Sequence, residues 1–246
     1  SNFLVMHAVS HTFEQMFAPI LSKKAAAGST HLVVDIPVGP TAKVRSQSDA
    51  VRLRKLFEYV ARHLGLVTTI VLSDGSQPVG RGVGPVLEAR DVMAGRRGDD
   101  DAPGDLREHA VSLAGHMLEL DPALEGGRGY ARALELLASG AALAAMERII
   151  EAQGRRAVPP RLGAHSFDVL APGAGTVRQI DCERIARIAR LAGAPMDEGA
   201  GIDLFCKTGA RVRGSEPLYR IYANSETGLA FARDLASEGS GYEVTP

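Results

Sequence analysis

Two apolar runs flank an amphipathic stretch early in the chain, and this arrangement constrains the fold more than any other feature. "HLVVDIPVG" (31–39) is nearly continuous in apolar residues and stops at Pro and Gly. "LVTTIVLSD" (66–74) has the same texture and ends in Asp74. Short apolar runs bounded by turn residues read as strands buried on both faces. Between them, "SDAVRLRKLFEYVARHLG" (48–65) puts Val51, Leu53, Leu56, Phe57, Val60 and Leu64 on one helical stripe. Ser48 or Asp49 is the predicted N-cap and Gly65 the stop. Strand, helix and strand with short connections make a βαβ unit, whose two strands run parallel.

The second strand opens into "SDGSQPVGRGVGPVLEARD" (73–91), which has glycines at 75, 80, 82 and 84. Strand, glycine loop and helix is the layout of an anion cradle. The spacing argues against one. Gly80-x-Gly82-x-Gly84 is not G-x-G-x-x-G, and no acidic residue ends a strand about 20 residues later. The Lys-Ser/Thr of a P-loop is also missing. Two readings stay open: a tight connection that needs positive φ, or a loop that presents backbone carbonyls to a ligand. Asp91 lies about two turns into the following helix. A carboxylate there closes a site of loop carbonyls, and oxygen-only ligation suits a hard cation. The alternative is a surface Asp on a helix.

"PILSKKAAAG" (19–28) reads as a helix with Pro19 in its first turn and Gly28 after its end. The adjacent Lys23 and Lys24 point two ways, so at most one faces a site; otherwise they form a solvated helix end. Beyond the helix of 85–94, residues 95–105 are a solvated loop, and its three consecutive aspartates read as a charged turn. Residues 104–153 are helical, with Asp105 as a cap and a break at Gly140. "RRAVPPRLG" (155–163) is the linker, since Pro-Pro stops helix and strand alike. The predicted organisation is an N-terminal segment 1–18 outside these units, an α/β portion 19–154, and a small α+β domain 164–246. The fold class is α/β: a mixed or parallel sheet with flanking helices, plus the small α+β domain.

Composition removes several function classes. The 246 residues carry a net charge of −1, which offers no nucleic-acid surface. Aromatic residues are 5% with no Trp, which leaves no stacking platform. Cys182 and Cys206 lack any zinc spacing and suit a reducing cytoplasm. "FLVMHAV" (3–9) is too short to span a bilayer and lacks the basic start of a signal peptide. The opening Ser-Asn has the form of a tag remnant. The seven histidines show no HExxH, and there is no G-x-S-x-G, so a hydrolase triad has no support.

Three blocks in order carry a resemblance: "ILSKKAAAGSTHLVVDIPVG", "SDGSQPVGRGVGPVLEARDV" and "GIDLFCKTGARVRGSEPLYRIYA". Together they resemble the thymidine/pyrimidine-nucleoside phosphorylase family, near its longer bacterial branch related to AMP phosphorylases, over residues 17–246. The resemblance implies a pentosyltransferase in which phosphate, the co-substrate, attacks C1′ of a pyrimidine nucleoside. The products are free base and ribose- or deoxyribose-1-phosphate, with no organic cofactor. It implies that Lys23, the Lys of S-x-L-x-K-K, contacts the base. The family Ser four residues earlier is replaced by Pro19. It implies a monovalent cation, potassium, held by the carbonyls of Val79 and Gly82 and the side chain of Asp91, where the family commonly has Glu. It further implies a cytoplasmic homodimer for the full-length enzyme.

The family's phosphate loop, K-H-S-x-G-G with a later G-x-K-T, does not occur in these residues. The chain therefore resembles the C-terminal portion of a longer enzyme, and alone is expected to be inactive. Two other readings remain. One is a degenerate paralogue serving as a binding or structural module. The other treats "TGARVRGSEPLYRI" as a lipoyl- or biotinyl-type hairpin, although Lys207 precedes the turn.

Overall fold

The computed structural model describes residues 21–246, so the expectations for 1–18 and for Pro19 lie outside them. Residues 21–26 are the described end of helix α1, and Gly28 follows with φ +73°. Strand β1 (His31–Val38), helix α2 (Gln47–His63) and strand β2 (Val67–Asp74) form the predicted βαβ unit. The strands are parallel in continuous register, His31 opposite Val67 through Val38 opposite Asp74. Helix α2 buries Ala50, Leu53, Phe57 and Ala61 against Val34 and Ile36, and Leu21 of α1 joins this core.

Two expectations are corrected here. The N-cap of α2 is Ser46, which has extended backbone and whose Oγ accepts the Asp49 N–H at 3.1 Å. Burial of β1 on both faces does not hold among the described residues. Val34 and Ile36 are buried, whereas Val33 and Asp35 are half-buried and Pro37 is exposed. An apolar run records the capacity for burial, not which neighbours supply it.

The glycine loop leads into strand β3 (Gly82–Val83) and helix α3 (Pro85–Arg97). Pro85 occupies the first turn of α3, and Gly98 ends it at φ +75°. The helix runs three residues past the expected 94, with Arg96 and Arg97 in its last turn, where cations suit the helix dipole. Helices α4 (Gly104–Leu118), α5 (Arg128–Ala138) and α6 (Ala141–Ala152) follow, and the break at Gly140 is as predicted. Asp105 is not the cap of α4; Pro103 holds that place and Asp105 sits in the first turn.

Residues 155–163 hold neither helix nor strand. Strands β4 (His165–Leu170), β5 (Gly175–Ile180), β6 (Gly201–Leu204), β7 (Arg211–Val212), β8 (Pro217–Ala223) and β9 (Tyr242–Thr245) then alternate with helices α7 (Cys182–Ala192) and α8 (Glu226–Glu238). One antiparallel sheet has the order β3-β6-β8-β4 and the other β7-β5-β9. Their shared core includes Val177, Ile180, Ile185, Ile188, Ile202 and Ile221. The whole is a mixed α/β fold of helices and small sheets. Strand β3 belongs to the glycine loop yet completes the C-terminal sheet. No helix among the described residues is long and apolar enough to cross a membrane.

Candidate functional site

The glycine loop is locked from behind by one carboxylate. Asp91, on the inner face of α3, is 1% exposed. Its Oδ2 accepts the backbone N–H groups of Arg81 and Gly82, each at 2.7 Å. Its Oδ1 accepts Arg90 Nε at 3.1 Å and Arg90 Nη2 at 2.9 Å. A carboxylate offers about four lone-pair sites, and these four donors fill them. Arg90 also grips Asp203 of β6, with Nη1 at 2.6 Å from Oδ2 and Nη2 at 2.7 Å from Oδ1. The Asp203 hydrogen bond pushes the guanidinium well above its ordinary value; burial opposes this and Asp91 adds to it.

The glycines serve close approach. Gly84 has φ +137°, and a Cβ there would lie 2.4 Å from the Ala200 carbonyl oxygen. A Cβ on Gly82 would lie 2.5 Å from the backbone carbon of Leu87. With those side chains absent, β3 pairs against β6 (Gly82 opposite Asp203, Val83 opposite Ile202), and Leu204 donates its N–H to the Arg81 carbonyl at 2.9 Å. Of the two open readings of the loop, the tight connection accounts for these contacts.

The donor set does not fit the expected potassium site at Asp91. A cation held beside the Val79 and Gly82 carbonyls needs a free carboxylate lone pair, and Asp91 has spent its own on N–H donors. No group of three or more His, Cys, Asp or Glu among the described residues is arranged to hold a metal ion. Lys23 lies on the exposed side of α1 and is not among the donors to Asp91. Sequence reasoning missed Arg90 and Asp203, and named Asp105 and Lys207 only as a helix cap and as a residue before a turn. They meet only through tertiary contacts between segments some hundred residues apart, and no local spacing announces them.

Beside the loop, a cleft of about 240 Å³ opens at the carboxyl ends of β1 and β2, where open α/β sheets take their ligands. Asp35, Ser73, Asp74, Gln77, His109 and Cys182 line it. His109 Nε2 is 3.1 Å from Asp35 Oδ2. The other oxygen, Asp35 Oδ1, and Ser73 Oγ are buried and have no hydrogen-bond partner among the described residues. Buried polar atoms without partners are rare enough to mark places where something else belongs. Burial pushes the Cys182 thiol up, which keeps it protonated and a poor nucleophile.

Residues 176–243 match the pyrimidine nucleoside phosphorylase C-terminal domain. A protein of Rhodopseudomonas palustris (strain ATCC BAA-98 / CGA009), named "Putative thymidine phosphorylase", is 56% identical over 233 residues, which is 95% of this chain and 45% of that protein. Proteins of the same name from Bradyrhizobium diazoefficiens and Methylococcus capsulatus are 57% and 55% identical, again over 45% of their own length. The chain thus spans a little under half the length of the curated relatives it matches. On these likenesses, the chain is similar to the C-terminal portion of pyrimidine-nucleoside phosphorylases.

Proposed function

We propose that these residues form the C-terminal part of a pentosyltransferase that cleaves a pyrimidine nucleoside with phosphate. The observation that carries this reading is the cleft at the carboxyl ends of β1 and β2, with its orphaned Asp35 and Ser73 oxygens, in a chain so similar to proteins named for thymidine phosphorolysis. In the reaction a phosphate oxygen bonds to C1′ while the C1′–N1 bond breaks, and its electron pair leaves with the base. The Lys23 ammonium, on the exposed side of α1, is suited to stabilise the charge that develops on a pyrimidine carbonyl oxygen. Phosphate binding falls to a loop that these residues do not contain, and homodimerisation and a cytoplasmic location go with the longer protein.

A second reading, a module that kept the fold and lost the chemistry, is favoured by Pro19, which supplies neither a hydroxyl nor an N–H where the family has Ser. The deciding experiment incubates thymidine and phosphate with a version of the protein that includes a preceding phosphate loop, and in parallel with the 246-residue chain. The enzyme reading expects thymine from the longer protein only. Thymine at enzymatic rates from the chain alone contradicts the need for the phosphate loop, and none from the longer protein favours the non-catalytic module.

A further inference from the structure

The outer arm of the glycine loop is held from the C-terminal half of the chain. Lys207, between β6 and β7, directs its ammonium onto the Pro78 carbonyl and onto Asp105 Oδ2, the latter at 2.9 Å. The same Asp105 oxygen accepts the Gly80 N–H at 3.2 Å. Next to it, the Thr208 N–H donates to Gln77 Oε1 at 2.9 Å. Burial pushes the Asp105 carboxyl up, but the hydrogen bond and charge of Lys207, helped by the Leu106 and Gly80 amides, outweigh this and hold it below its ordinary value. The ammonium thus sits on a loop carbonyl and a carboxylate, the oxygen donors that a hard cation takes. It sits one residue before Val79, where the resemblance put a potassium ligand.

A potassium ion and an ammonium group are alike in charge and similar in size. They differ in that the ammonium is tethered, so its occupancy does not depend on the salt outside. Asp91 is already saturated by N–H donors. We propose that the glycine loop of this chain carries its own cation: the Lys207 ammonium, supplied from the C-terminal half, braces the loop in place of a dissolved potassium ion. The loop's conformation is then independent of potassium. Lys207 is accordingly a positioning residue, and its engagement with Asp105 and Pro78 leaves no free arm for the carrier-type modification weighed from the sequence. The inference sets aside the cation of the phosphorylase reading and holds whether or not the longer protein is an enzyme.

The test is native-state amide hydrogen exchange on the 246-residue chain, read at Gly80, Arg81 and Gly82 in potassium chloride and in choline chloride of equal ionic strength. Protection in the unsubstituted chain is expected to agree within about twofold between the two salts. Lys207→Met keeps the apolar stem and removes only the ammonium. It is expected to lower Gly80 protection at least about tenfold, with partial recovery in potassium and none in choline. Protection of the Ile221 amide, in the C-terminal core, reports that the variant is folded. Where Lys207→Met does not fold, Asp105→Asn carries the same expectation for Gly80 without the recovery. Three results each overturn the proposal: loop protection in the unsubstituted chain that falls when choline replaces potassium, Gly80 protection unchanged in the variant, or loss in Lys207→Met that potassium does not recover.

Discussion

At the scale of single residues, the loop turns on positions where a side chain cannot fit. Gly84→Ala combines a positive φ that costs an L-residue about 1–2 kcal/mol with a clash against the Ala200 carbonyl. Overpacking adds about 1–3 kcal/mol. Denaturant unfolding is expected to show a total loss of about 2–5 kcal/mol, and a loss below about 0.5 kcal/mol would mean that the loop relaxes freely. That these glycines do something special was legible in "GRGVG", because only close approach or positive φ explains such a run. What they approach was not legible. Ala200 and Gly201 lie over a hundred residues away, and nothing in their local sequence points back to Gly84. Asp91 was singled out correctly as a residue that reaches the loop. Its partners were not legible, since the sequence does not say whether a buried carboxylate meets a metal ion or, as here, the Arg90 guanidinium and the Arg81 and Gly82 amides.

At the scale of elements, helices and long strands were the legible part, since amphipathic stripes and apolar runs extend over many residues. Strand β3 was not, because two residues cannot display a period. Its pairing with β6 is nevertheless what draws the glycine loop into the C-terminal sheet. At the other edge of that sheet, β4 and β8 are tied by a cross-strand ion pair, Asp168 opposite Arg220, with Arg220 Nε 2.5 Å from Oδ1 and Nη2 2.8 Å from Oδ2. The hydrogen bond from Arg220 holds the Asp168 carboxyl below its ordinary 3.8, against a smaller effect of burial. Because the folded value is depressed, the pair's contribution is present above pH 3.8 and is lost as pH falls below it, through the folded value. Thermal unfolding followed from pH 6 down to pH 2 is expected to show Asp168→Asn converging on the unsubstituted chain at the acid end and less stable above it. A gap that stays constant across that range would assign the effect of Asp168 to something other than its charge. The pair is partly exposed, so the gap is expected to be small, below about 1 kcal/mol.

At the scale of the whole molecule, the division at 155–163 describes the order of the chain better than the way it is held together. The glycine loop is made by residues of the first part, yet its strand, its ionic clasp and its outer arm are all anchored in the second. Arg90 joins Asp91 to Asp203, Lys207 joins Pro78 to Asp105, and Leu204 pairs with Arg81. The central claim is that this loop joins the two parts of the chain rather than cradling an anion or a metal ion. Inserting a protease site between Arg155 and Gly163, cleaving it under native conditions and measuring the hydrodynamic size of the product tests that claim most directly. The account predicts one species of unchanged size, in which both fragments stay together through the loop. Two separate fragments, each folded and migrating alone, would contradict it.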